Sequence, residues 1–393
     1  MGIITTADSP QAGDLLQEIS SDRLRATVEK LAGFHTRNTL SPGLTEAAEW
    51  LASEYRKIPG VEAELMKYVL PKGRRVPEDK EVVQVVAKLR GTAPDGERKV
   101  VIVGGHLDSL NLEVDPVSGR APGANDDASG VALSLELARV MSTRKWKHDL
   151  VFVGFSGEEQ GLNGARALAR RARAEGWRIE AMLNNDTVGS SGNLSGQRDE
   201  KHVRVFSDEP PVRQADAEPG PLQNSRELAR YIEFVTRKAV PDFSVKLVLR
   251  RDRFGRGGDH TPFSEEGFSA VRFIEVHEEY TRQHTPHDLP EFMDWRYLAN
   301  VTRANLVAMT HLADAGAAPE NVRIDTKQGH DTTLTWKAQA GVRYVVYWRD
   351  TASAVWQGSF EAGEAAAYTV KGINKDDHFF AVGAENGVPI AAR

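Results

Sequence analysis

Val100-Val101-Ile102-Val103-Gly104-Gly105-His106-Leu107-Asp108-Ser109 runs four apolar residues into a glycine pair and then turns polar. An apolar run without alternation suits a strand buried on both faces. Outward from it the pattern repeats. Leu150 to Phe155 reads as a second buried strand and Ala181 to Asn184 as a third, with helices expected from Gly130 to Ser142 and after Gly161. Ser129 stands where an N-cap for the first of these helices is expected. Upstream, Val82 to Leu89 reads as a strand, and apolar residues at helical spacing predict helices from Ser20 to Leu31 and from Leu44 to Lys57. Downstream, a helix is expected from Ser225 to Val240, strands at Val245 to Leu249 and Ala270 to Ile274, and a last helix from Trp295 to Leu312. This alternation predicts an α/β layer whose mixed, largely parallel sheet is flanked by helices. Ser190 to Leu222, rich in Gly, Pro, Ser and charge, reads as a long loop or an excursion.

The texture changes after Pro319. Thr332 to Trp336, Tyr344 to Trp348, Val355 to Phe360, Ala367 to Val370 and Phe379 to Val382 are short β-type runs between turn residues. They predict a small all-β sandwich behind a linker over 313–319. The expected division is therefore 1–316 and 317–393, and 393 residues are too many for one ordinary core.

The 40% hydrophobic and 27% charged fractions are those of a soluble globular chain, and a net charge of -6 argues against nucleic acid as a partner. No stretch reaches the roughly eighteen apolar residues that would span a bilayer, so no membrane partner is expected. The first residues lack the basic and apolar regions of a signal peptide. Gly2 and Thr6 have the spacing of a myristoylation pattern, a match short enough to arise by chance. There are no cysteines, so any bound metal must sit on His, Asp and Glu.

Such residues gather past the predicted strand ends, where α/β sheets carry their function. In Gly105-His106-Leu107-Asp108 the ring can ligate metal while the aspartate accepts its second N–H. A loop histidine with a capping aspartate explains that fragment equally well. Asn125-Asp126-Asp127-Ala128-Ser129-Gly130 places two carboxylates where a helix start accounts comfortably for one. Gly157-Glu158-Glu159 offers a ligand and a base, although for that pair alone a surface loop is the better explanation. Ser156 sits in a sequence that lacks the last glycine of a nucleophile elbow. Asn185-Asp186 adds a carboxylate. The second imidazole is open among His260, His277, His284 and His287. Two histidines with several carboxylates suit paired divalent ions about 3.5–4 Å apart, bridged by a carboxylate and a water. Two Zn²⁺ against three carboxylates and a hydroxide also sum to zero charge.

In order, these segments resemble the M28 family of zinc aminopeptidases: H-x-D at His106 and Asp108, N-D-D-A-S-G, G-E-E, N-x-D at Asp186, and H-T-x-x-D at His284 and Asp288, over Val82 to Leu312. The resemblance implies a zinc exopeptidase-like fold and two Zn²⁺ ions per chain. Asp126 would bridge them, His106 and Asp186 would complete one, and Glu159 and His284 the other. Glu158 would be the general base and Asp108 would orient His106, with Asp259-His260 in support. Peptides with a free N-terminus would be the substrates. Some relatives place Tyr before the last His; here Gln283 stands there, and Tyr280 is the nearby alternative.

The segment after Pro319 resembles a fibronectin type III module through Leu334-Thr335-Trp336, Tyr344 to Trp348 and Phe379 to Val382. Such modules usually accompany exported enzymes, which points to a periplasmic or secreted location ahead of a cytoplasmic one. Rival readings keep the fold and change the reaction. One is a glutaminyl cyclase with one zinc; the other is a carboxypeptidase using Arg250, Arg251, Arg253 and Arg256. A non-enzymatic binding module is the third.

Overall fold

The computed structural model describes residues 10–73, 75–208, 224–327 and 329–393. The Gly2/Thr6 pattern and residues 209–222 of the expected excursion lie outside them. Three helices come first: α1 (Pro10–Glu18), α2 (Ser21–Ala32) and α3 (Pro42–Arg56). Ser20 caps α2 by accepting from the Arg23 N–H. Then follow β1 (Val61–Leu70), β2 (Lys80–Leu89), β3 (Val100–His106), α4 (Ser129–Met141), β4 (Asp149–Phe155), α5 (Asn163–Ala174), β5 (Ile179–Asn185) and β6 (His202–Ser207). The layer closes with α6 (Ser225–Ala239), β7 (Ser244–Val248), α7 (His260–Glu265), β8 (Ala270–Glu275) and α8 (Trp295–Ala313).

The eight strands form one sheet in the order β1-β2-β4-β3-β5-β8-β6-β7. Its centre, β4-β3-β5-β8, is parallel, while β1, β2 and β6 join antiparallel. Every residue of β3 and β4 is buried, as their unbroken apolar runs require.

Four elements of this layer escaped the sequence reading, the first of them α1. β1 carries Glu62, Glu64 and Lys67 on an edge strand, so no apolar run announces it. β6 lies inside the expected excursion, yet it pairs with both β7 and β8. The charged Asp199-Glu200-Lys201 before it disguised its buried Val203, Val205 and Phe206. α7 has only six residues, too short for helical periodicity to show. Ser129 is also not the expected cap: it is the first residue of α4, and its hydroxyl donates to the Asn125 carbonyl. The Asp127 carboxylate takes the cap role by accepting from the Gly130 N–H at 2.9 Å.

The expected linker is packed rather than free. His148 Nε2 donates to the Ala315 carbonyl at 3.0 Å, and the Gly316 N–H donates to Glu385 at 3.1 Å. Beyond it, β9 (Glu320–Ile324), β10 (Thr332–Lys337), β11 (Tyr344–Asp350), β12 (Gly358–Gly363), β13 (Ala367–Val370), β14 (His378–Ala384) and β15 (Ile390–Ala391) make two antiparallel sheets. Leu334, Trp336, Tyr344, Val346 and Phe380 fill the space between them. The alternate residues of β11, Val345 and Tyr347, face the other way and join the main core with Trp356. Tyr347 meets Phe234 of α6 edge to face at 5.4 Å. The strand expected at Val355 starts three residues later, because Trp356 turns into this junction.

Candidate active site

His106 ends β3, Glu158 and Glu159 follow β4, Asp186 follows β5, and His284 lies on the loop after β8. Asp126 comes from one tight turn (Ala124–Ala128) that leads into α4. The carboxyl ends of four adjacent parallel strands thus meet at one point, and the loops carry the polar groups there. Gly105 makes this approach possible, since a Cβ on it would stand 2.4 Å from Asp127 Oδ2 and 2.8 Å from the Asn185 carbonyl.

Asp126 sits at the middle of the cluster. Its Oδ1 lies 2.9 Å from His106 Nε2, and its Oδ2 lies 3.1 Å from His284 Nε2. On the first side Asp186 Oδ1 is 3.8 Å from His106 Nε2; on the second, Glu159 Oε1 is 3.1 Å from His284 Nε2. Among the four candidate histidines, only the His284 ring closes on these carboxylates. His260 Nε2 donates to the Arg251 carbonyl and His287 is exposed. His284 adopts φ 59, and Thr187, next to Asp186, adopts φ 52. Left-handed backbone at a non-glycine residue is uncommon and collects at functional sites.

Groups around the cluster hold it in place. Asp108 accepts from the Thr39 hydroxyl at 3.1 Å and from the Glu159 N–H at 3.2 Å, which ties β3 to the glutamate loop. His106 Nδ1 donates to the Asp108 carbonyl at 3.0 Å, while the Asp108 carboxylate stands 3.7 Å away. Asp108 therefore meets the ring through its backbone rather than through the expected carboxylate. Asp288 accepts from the Asn125 N–H at 3.0 Å and the Asp126 N–H at 2.9 Å.

Three braces went unnoticed in the sequence. Arg272 bonds Asp186 Oδ2 at 2.9 Å and Asp252 Oδ2 at 2.7 Å. Glu275 accepts from the Asn125 amide and the Ser190 N–H. Arg37, fully buried, donates to the Leu107, Pro122 and Gly123 carbonyls. The available signal was a charged residue inside an apolar strand, which Arg272 and Glu275 both supply.

Among the described residues, two donor sets lie close enough to hold a metal ion: His106, Asp126 and Glu159, and His106, Asp127 and Asp186. Asp127 is the weaker candidate of these. Its oxygens already accept from the His106 and Gly130 N–H groups and the Ser129 hydroxyl. Asp126 instead turns both oxygens toward imidazoles. Buried carboxylates at this density need cations. Burial opposes charging His284, yet Asp126 and Glu159 outweigh it and raise the ring to about 11. Burial, reinforced by Glu159, Asp186 and Asp259, pushes Glu158 well up. Glu159 Oε1 is buried with no aligned hydrogen bond, although His284 Nε2 stands 3.1 Å away. Imidazole and carboxylate donors of this kind fit zinc.

The cleft over the cluster is lined by Glu158, Arg75, Arg253, Arg256 and Gln283. The arginine cluster divides: Arg251 pairs outward with Asp208 at 2.6 Å and Arg250 covers Phe254, while Arg253 and Arg256 face the cleft. The Tyr280 hydroxyl donates to Glu278 at 2.9 Å, and Tyr280 is not itself among the lining residues.

The sequence profile of peptidase family M28 matches residues 84–309. A probable zinc metalloprotease of Leptosphaeria maculans is 35% identical, over 97% of this chain and 95% of its own length. One from Pyricularia oryzae is 37% identical, over 97% of this chain and 84% of its own. Among solved structures, the LapA aminopeptidase of Legionella pneumophila shares the fold with a TM-score of 0.60 at 20% identity, covering 80% of this chain and 78% of that one. A glutaminyl cyclase of Fimbriiglobus ruber matches with a TM-score of 0.55 at 20% identity, over 74% and 94%.

Proposed function

The chain belongs to peptidase family M28 and is a zinc metallopeptidase, and on that premise we propose that it is a co-catalytic two-zinc aminopeptidase. The observation that carries this reading is Asp126, whose two oxygens face different histidines at 2.9 and 3.1 Å. His106, Asp126 and Asp186 would hold one ion, and Asp126, Glu159 and His284 the other. A pair of zinc ions held there would make a bound water acidic near neutral pH and polarise the scissile carbonyl.

Glu158 takes the proton of the attacking water as its oxygen bonds to the carbonyl carbon. It then delivers that proton to the amine nitrogen as the C–N bond breaks. Asp108 and Asp288 keep the ligand loops in register through the bonds described above. The division into 1–316 and 317–393, the fibronectin type III-like character of the second part, and a periplasmic or secreted location belong to the same reading. Among the described residues no helix is long and apolar enough to cross a membrane.

The test is hydrolysis of aminoacyl-anilides, with free and blocked N-termini, before and after chelation and zinc add-back. Glu158→Ala should abolish turnover and keep two zinc ions; near-normal activity in that variant would refute the mechanism. The cyclase likeness supports a second reading. One tightly held zinc per chain, with pyroglutamate formed from N-terminal glutamine, would favour it.

A further inference from the structure

The cleft is not electrostatically uniform. Asp126 and Gln283 line both of its halves. The half toward Ser190 is walled by Glu275, Glu278, Glu279 and Asp288 against Arg282, and Glu158 does not reach it. The other half sets Arg75, Arg253, Arg256 and Arg272 around Glu158 and the candidate metal ligands Glu159 and Asp186. Two of these arginines are committed. Arg272 is held by Asp186 and Asp252, and Arg253 is bonded to Asp252 and Glu278.

Arg75 and Arg256 are not. Arg75 makes no ion pair among the described residues and donates only to the Glu159 carbonyl, at 2.8 Å. The nearest carboxylate to Arg256 is Glu278, at 3.9 Å, which Arg204 and Arg253 already hold. The Arg256 guanidinium lies over the Tyr280 ring at 4.9 Å and lines the cleft. Two weakly compensated guanidinium groups in one concave wall concentrate positive potential there.

We propose that this wall binds a carboxylate on the residue being released, either the free C-terminus of a dipeptide or an acidic side chain. The proposal rests on the aminopeptidase reading, because Glu158 must protonate the leaving amine and so marks the leaving-residue side. The acid-walled half then receives the α-ammonium end, and the substrate lies along the field between the two. Arginine suits the task because its fork presents paired donors to a carboxylate.

The experiment compares four substrates on the zinc-loaded protein: Leu-Gly, Leu-Gly-amide, Leu-Glu-amide and Leu-Gln-amide. The first pair reads a terminal carboxylate and the second a side-chain carboxylate. Preference by on the order of tenfold in kcat/KM is expected in at least one pair. The Arg256 side chain is 44% exposed, which keeps the factor modest. R256Q and R75Q should each shrink that preference, and rising ionic strength should shrink it in the unmodified protein. Calorimetry on E158A should show the same ranking in dissociation constants without turnover. Equal rates within both pairs, or a preference that both variants retain, would overturn the proposal and leave the aminopeptidase reading standing. Cleavage only of peptides with blocked N-termini would overturn the aminopeptidase reading itself, and the binding ranking would still decide the arginine wall.

Discussion

Replacing Asp288 with Asn separates what this residue does for stability from what it does for the metal site. Its carboxylate accepts the Asn125 and Asp126 N–H groups at 3.0 and 2.9 Å. Burial, reinforced by the Asp126 charge, raises it from 3.8 to about 6. An acid raised in the folded state is cheaper protonated, so the charged form opposes folding at pH above 6. Two units amount to about 3 kcal/mol at neutral pH. Asn removes that charge and keeps one carbonyl acceptor. Its amide then faces the other N–H, which loses its partner at about 1–3 kcal/mol. The two effects nearly cancel, and stability should change by less than about 2 kcal/mol. The Asp126 turn, however, loses one of its two ties, and groups that orient ligands typically affect metal affinity or activity about 10–100-fold. Urea unfolding of the metal-free protein at pH 7 reads the first quantity. A zinc competition titration with kcat/KM reads the second. A stability loss above about 4 kcal/mol with unchanged zinc affinity would show that Asp288 is a packing residue and refute the reasoning.

Arg272→Met should cost the metal-free protein about 3–5 kcal/mol by leaving Asp186 and Asp252 buried beside an apolar side chain; a loss under 1 kcal/mol in urea melts would contradict this. His148 is held neutral, with Nε2 donating to Ala315 and Nδ1 accepting from Lys99, and burial lowers it from 6.5 to about 4. The unfolded chain takes up that proton first, so stability should fall as pH drops from 6.5 to 4, by up to about 3 kcal/mol. His148→Gln should flatten that window, and an unchanged slope would exclude His148 as its source. Trp356→Ala should cost about 3–5 kcal/mol by emptying the junction between the sandwich and α6. The loss should appear in a thermal melt with zinc content preserved, and a fall in bound zinc would contradict a purely structural role.

Much of the α/β layer was legible because its central strands are apolar on both faces, so runs such as Val100 to Val103 need no alternation to be recognised. The candidate ligand carboxylates were legible only together, since each acidic pair alone has an ordinary structural use and it is their common place just past buried strands that singles them out. Edges and braces were not. β1 and β6 carry charge because one face or one end meets solvent, and Arg272 and Arg37 appear as ordinary charges until their partners are known.

Local pattern along the chain thus determined the layer and the candidate metal-type donors, while only the family resemblance singled out His284 among its rivals. Only the tertiary structure decided which oxygen of Asp126 faces which histidine, and that Asp127 serves backbone N–H groups instead. It also turned Arg253 and Arg256 into the cleft and Arg250 and Arg251 out. The reason is physical: local pattern reports burial and periodicity, whereas a side chain's partner depends on strand order and loop direction. Residues as distant as Asp126 and Asp288 meet only when the sheet assembles.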